Sequence, residues 1–263
     1  MKYSIITINY NNRYGLRKTI ESVVNQTYKD FEFIIIDGGS TDGSVDVIKE
    51  YSDKIDYWVS EPDKGIYNAM NKGVLQAHGE YLNFMNSGDC FYNKEVLCDA
   101  SNYNGDILSG NIFRNDIEKI VYYNSDVSFK TLYSSEFNHQ GLFFHKSIFK
   151  KRLYDETFKI VSDWKLVLEA TLIDNFSYKH IDIVVARYEA GGLSSNADMI
   201  KREKDIVLKE MLHPLIEKDY EKWNTIHNDY VDCLYQLQKH YRINHFCLSI
   251  VKLITNIVRK IKR

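Results

Sequence analysis

Apolar residues recur along this chain with two alternating periods. Residues 3–8 (YSIITI), 31–36 (FEFIII), 57–60 and 79–85 (GEYLNFM) are short β-branched and aromatic runs, the pattern of buried strands. Between them, Leu16, Ile20, Val23 and Val24 mark a helix over 14–27. A second helix is expected over about 43–51, and a third over about 65–77 with Asp63 as its cap. Strands alternating with helices predict crossover units and a mostly parallel sheet. Beyond residue 90 the pattern loosens. Strands are expected at 104–113, 117–123 and 178–188, a helix over 160–172 opening at Ser162-Asp163, and mainly helix from about 197, broken near Pro214.

In such sheets, ligands bind outside the carboxyl ends of the strands. Polar residues collect at those ends: Asn9-Tyr10, Asp37, Asp63-Lys64 and Asn86 to Asp89. A scaffold alone does not require four polar strand ends. Asp37 precedes two glycines that let the backbone turn sharply. Its carboxylate suits a base N–H or a ribose hydroxyl, against a plain helix-capping role that Ser40, Thr41 and Asp42 already supply. Asn68, Asn71 and Lys72 share one face of the third helix, against a merely solvated face. Asp89, at a strand end beside a diphosphate, suits a divalent cation that offsets leaving-group charge.

The bulk numbers narrow the classes. The chain has 263 residues and a net charge of −2, so nucleic acid is not an expected partner. The aromatic share of 14%, with 20 Tyr, suits a sugar-binding cleft and equally a Tyr-rich genome. Cys90, Cys98, Cys233 and Cys247 form neither a Cys-x-x-Cys pair nor a zinc spacing. Disulfides are not expected, and with neither a signal peptide nor a membrane span a cytoplasmic location is. Residues 242–263 carry an apolar helical stripe with Lys252, Arg259 and Arg263 opposite. That suits either a membrane interface or packing on the protein itself.

The blocks SIITINYNN (4–12), SVVNQTYKDFEFIIIDGGSTDGS (22–44), EPDKGIYNAMNKGVLQAHGEYLNFMNSGD (61–89) and SDWKLVLEA (162–170) together resemble the family 2 glycosyltransferases. The resemblance covers roughly residues 1–195. It implies a GT-A type, Rossmann-like α/β fold: a domain over 1–195, with a nucleotide-binding half at 1–90 and an acceptor half at 91–195, then a helical extension over 196–263. It implies an inverting transfer from a nucleoside-diphosphate sugar, UDP-linked, to a hydroxyl of a glycan or lipid-linked acceptor.

By the same resemblance Thr7, Asn9, Tyr10 and Asp37 would hold base and ribose. Lys64, Gly65, Asn68 and Asn71 would line ribose and diphosphate, next to Asn86, Ser87 and Gly88. Asp89 would bind Mn or Mg, and Asp163 would be the general base. His139, Gln140, Trp164, Gly191 and Gly192 fall where acceptor and lid contacts are expected. The chain departs from the family's D-x-D cluster, since residues 86–89 read Asn-Ser-Gly-Asp. That thinning puts metal affinity in doubt and leaves a second reading open, a nucleotide-sugar-binding scaffold without turnover. A nucleotidyltransferase ranks below both, because the loop after the first strand lacks glycines.

Overall fold

The computed structural model describes residues 1–123, 125, 128–134, 137–189, 196–216, 218–223, 225–226 and 229. The loop at 191–194 with Gly191 and Gly192, the stripe at 242–263, and Cys233 and Cys247 lie outside the described residues. Cys90 and Cys98 are both free thiols.

The apolar runs become strands where expected. β1 (Tyr3–Asn9) is buried throughout, and β2 (Phe31–Asp37) nearly so. Both faces are covered by helices, which explains runs without polar alternation. α1 (Arg13–Val24) places Leu16, Ile20 and Val23 in a core shared with Ile5, Phe33 and Ile35. Burying each such side chain is worth about 1.5–3 kcal/mol. After α2 (Ser44–Glu50) and β3 (Tyr57–Ser60), α3 (Ile66–Gln76) covers the other face. Its Gly73 lies where a Cβ would come within 2.5 Å of Ile6 Cγ2, so only glycine allows that approach. β4 (Tyr81–Phe84) completes the parallel group.

The rest of the sheet is built from β5 (Cys90–Phe91), α4 (Val96–Ala100), β6 (Ile107–Arg114), β7 (Lys119–Val121), α5 (Phe129–Tyr133), β8 (Leu142–His145), α6 (Ser147–Lys151), α7 (Ser162–Leu168) and β9 (Tyr178–Tyr188). α7 runs on as a π turn over Glu169–Ile173. Strand order is β3-β2-β1-β4-β8-β6-β9-β5, with β7 paired to β6. β1 to β4 are mutually parallel and β6 is parallel to β9, while β8, β5 and β7 run against their neighbours.

Two antiparallel pairings bring distant segments to one edge. β8 runs against β4, with Tyr81 opposite His145, so the residues just before β8 lie beside the carboxyl end of β4. β5 runs against β9, with Cys90 opposite Arg187, which sets the end of β9 beside Asp89. α8 (Ala197–Met211) follows. The chain divides into one compact unit over Met1–Lys204, which carries the sheet, and a second over Asp205–Arg263. No helix among the described residues is long and apolar enough to cross a membrane.

Candidate active site

Parallel register aligns the first strand ends: Asn9 lies opposite Asp37, and Asp37 opposite Ser60. Asp37 is 0% exposed and accepts four hydrogen bonds. Oδ1 takes Asn9 Nδ2 at 2.7 Å and Ser40 Oγ at 2.6 Å, while Oδ2 takes Ser40 N at 2.9 Å and Ser60 Oγ at 2.6 Å. Burial raises this carboxyl's pKa, but the bonds from Ser40, Ser60 and Asn9 outweigh it and hold it below the ordinary value. A carboxylate offers about four lone-pair sites. In this structure Asp37 ties together the loops after β1, β2 and β3.

Thr7 and Asn71 are likewise spent inside the fold. Thr7 is fully buried and donates to Met85 O at 2.8 Å. Asn71 donates to Tyr154 O and Glu156 Oε1 and accepts from Tyr154 N, each at 2.9 Å. Asn68 also donates to Glu156. Asp63 is no cap: α3 is capped by Gly65, at φ +136°, and Asp63 pairs with Lys72 at 2.6 Å. Lys64 is exposed. Tyr10, 69% exposed, flanks Gly38, where a Cβ would meet its ring at 3.2 Å.

The turn Asn86 to Asp89 is held from below by Thr19. Its hydroxyl donates to Asp89 O at 2.6 Å and accepts from Gly88 N at 3.0 Å. Gly88 takes φ +108°, a conformation glycine adopts without strain. Ser87 O accepts from Asn12 Nδ2. Asp89 is 6% exposed. Its Oδ2 accepts from Gln140 Nε2 at 2.6 Å and its Oδ1 from Glu189 N at 2.9 Å. Burial pushes this carboxyl above the ordinary range, only partly opposed by those two donors.

Among the described residues no three His, Cys, Asp or Glu side chains gather as a metal cage. Asn86 Oδ1 and Gln140 Oε1 are both buried without a partner among the described residues. One buried carboxylate, bonded once on each oxygen, supplies a single anionic group, so most of a hard cation's coordination would have to come from elsewhere.

Asp163 opens α7, and its side chain is 19% exposed. Oδ1 accepts from Trp164 N at 2.8 Å and lies 3.2 Å from Tyr67 Oη, whose shorter bond is donated to Ile160 O at 2.5 Å. Oδ2 lies 3.2 Å from His139 Nδ1, and His139 Nε2 lies 3.0 Å from Asn86 Nδ2. The Tyr67 pKa is pushed far up by burial and by the Asp163 charge, so its hydroxyl stays a donor. Glu203 holds this helix start by accepting from Lys159 N, Ile160 N and Val161 N at 2.8 to 3.2 Å.

Two of the residues expected at the acceptor side are buried. Trp164 is core, 3% exposed, donating to Leu132 O at 2.6 Å beneath the Lys204 ammonium. Gln140 is buried against Asp89. Thr19 and Glu203 lie outside the motif blocks, and Tyr67 lies inside one without a role assigned from it. Each is an ordinary helix residue whose role depends on a partner far away in sequence.

Polar side chains gathered at the carboxyl ends of the parallel strands of an open α/β sheet mark the edge at which such folds bind their ligands. The model of glycosyl transferase family 2 matches residues 4–162, and the chain belongs to that family. It is a glycosyltransferase. A glycosyltransferase of Mycobacterium tuberculosis is 34% identical over 187 residues, 65% of this chain and 69% of that one. The S. aureus TarS 1–349 structure in complex with UDP-GlcNAc superposes with TM-score 0.66 at 19% identity, over 81% of this chain and 68% of that one. A Pyrobaculum calidifontis mannosyltransferase in complex with GDP-Man and Mn2+ gives TM-score 0.60 at 14% identity, over 76% of this chain and 60% of that one. These solved neighbours share the GT-A fold.

Proposed function

We propose that this chain moves a sugar from a nucleoside-diphosphate donor, UDP-linked, to an acceptor hydroxyl in a single inverting displacement. Asp163 is the general base. The observation that carries this reading is the state of its carboxylate. It is partly exposed, Oδ1 accepts from Trp164 N with the Tyr67 hydroxyl beside it, and Oδ2 takes only His139. One lone pair of Oδ2 stays open for a proton. As the acceptor oxygen bonds to the anomeric carbon, its proton passes to Oδ2 and the bond to the diphosphate breaks.

The donor's base stacks on Tyr10, and its ribose and diphosphate run past Lys64, Gly65, Ser87 and Gly88. Thr7, Asn9, Asp37 and Asn71 act from behind, by fixing the loops that form this wall. The UDP-GlcNAc and GDP-Man complexes of the solved neighbours support a nucleotide-sugar donor. The Mn2+ in one of them supports divalent-cation use by the fold. In this chain a cation would have to be held chiefly by phosphate oxygens. A glycan or lipid-linked sugar is the acceptor class that the family supports.

A thermal-shift panel tests the donor half, using UDP, GDP and dTDP and their sugars with and without manganese. Selective stabilisation by UDP compounds is expected by mass action. Equal indifference to all of them would sink the donor assignment.

A further inference from the structure

We propose that His139 is a positioning residue for the transfer step, orienting the reacting oxygen of Asp163 against the carboxyl end of β4. This rests on Asp163 being the base. His139 and Gln140 are neighbours on one tight turn, His139–Gly141, just before β8. Because β8 runs against β4, that turn lies beside the end of β4. Asn83 fixes it there by donating to Gln140 O at 3.0 Å and Leu142 O at 2.9 Å. From this anchored turn the two side chains part: Gln140 bonds to Asp89, and His139 reaches Asp163.

Both ring nitrogens of His139 are committed. Asp163 Oδ2 can only accept, so Nδ1 carries a proton and donates to it, while Nε2 faces Asn86 Nδ2. The Nδ1 bond occupies one lone pair of Oδ2 and leaves the other for the acceptor proton. Rotation of the carboxylate, which would bring Oδ1 round to the acceptor, is opposed from both sides: Trp164 N holds Oδ1, with the Tyr67 hydroxyl beside it, and His139 holds Oδ2. Asn86 stands where the family has a carboxylate. In this chain the neutral amide faces a ring nitrogen of His139.

Two near-isosteric replacements separate the contacts. His139→Asn keeps an N–H near the Nδ1 position, facing Asp163. His139→Gln keeps one near Nε2 and loses the bond to the base. The assay is UDP release from UDP-N-acetylglucosamine, UDP-glucose and UDP-galactose with water as acceptor, read beside melting temperature. Gln and Ala at 139 are expected to lower kcat roughly 100-fold, the scale of a misplaced reacting group, with the donor KM and melting temperature unchanged. Asn at 139 should retain most of the activity.

Equal activity of the Asn and Gln variants, a loss that tracks melting temperature, or a change confined to KM would overturn the proposal. Failure of the underlying reading shows separately. If Asp163→Asn releases UDP at the wild-type rate, Asp163 is not the base, whatever the 139 variants do.

Discussion

Asp37 and Asp163 are the same side chain at the same edge of one sheet, yet their surroundings differ in kind. Asp37 is fully buried and holds four donors on its two oxygens. Asp163 is partly exposed: Oδ1 accepts from Trp164 N beside the Tyr67 hydroxyl, and Oδ2 is bonded once. Asp89 stands between them, nearly buried and bonded once on each oxygen. The comparison teaches that a strand-end carboxylate is not a reactive group by position. What decides is whether a lone pair remains open and whether a substrate atom can reach it.

The contrast breaks most visibly at Asp163. Asp163→Asn is expected to lower turnover by 10²–10⁴-fold, the usual worth of a positioned base, with little change in melting temperature. UDP release and a thermal melt on one sample check both. A large loss of stability instead would make Asp163 another Asp37.

At Asp37 the expected effect is the reverse. Asp37→Ala strands four donors, Asn9 buried and those of Ser40 and Ser60 partly so, at up to about 1–3 kcal/mol for each one left unpaired, so the folded state should be badly compromised. Its pH signature follows from the sign of its shift. The folded pKa lies below the unfolded value of 3.8, so its contribution is present above that value and is lost as pH falls through the folded one. Melting temperature against pH should therefore fall more steeply on the acid side in wild type than in Asp37→Asn.

Asp89→Ala should behave in between. It leaves Gln140 and the Glu189 amide without an acceptor, a stability cost of about 1–3 kcal/mol each, and it disturbs the end of β9. If Asp89 is wall and not ligand, nucleotide stabilisation by manganese should persist in the folded variant. Loss of the manganese response alone, with stability intact, would restore it as the metal ligand.

The smallest effect is expected at Tyr10. Tyr10→Ala should weaken UDP binding by about 1–3 kcal/mol, the worth of one aromatic stack, and leave kcat and melting temperature unchanged. Calorimetric titration reads it directly.

The parallel half of the fold was legible because its signal is local. Runs such as FEFIII are long enough to call for a doubly covered strand. β5 was not, because a two-residue strand exists only by pairing with Ala186 and Arg187. α4, α5 and α6, of five residues each, were missed for a related reason: single turns carry too few periodic positions. In the site, sequence marked the edge but not the valence. That Ser60, brought in by β3, would bond to Asp37 could not be read from local pattern. His139 and Gln140, before an apolar stretch, were expected only at the acceptor side. Their division between Asp163 and Asp89 depends on the antiparallel placement of β8, which no local pattern encodes.

The most direct test of the central claim is the anomeric configuration of the first product. An α-linked UDP-sugar that supports turnover is hydrolysed by the wild-type enzyme, and proton NMR follows the released sugar before it mutarotates. A single displacement assisted by Asp163 predicts that the β-anomer appears first. Initial release of the α-anomer would contradict it, because a single displacement from the face opposite the diphosphate cannot retain configuration.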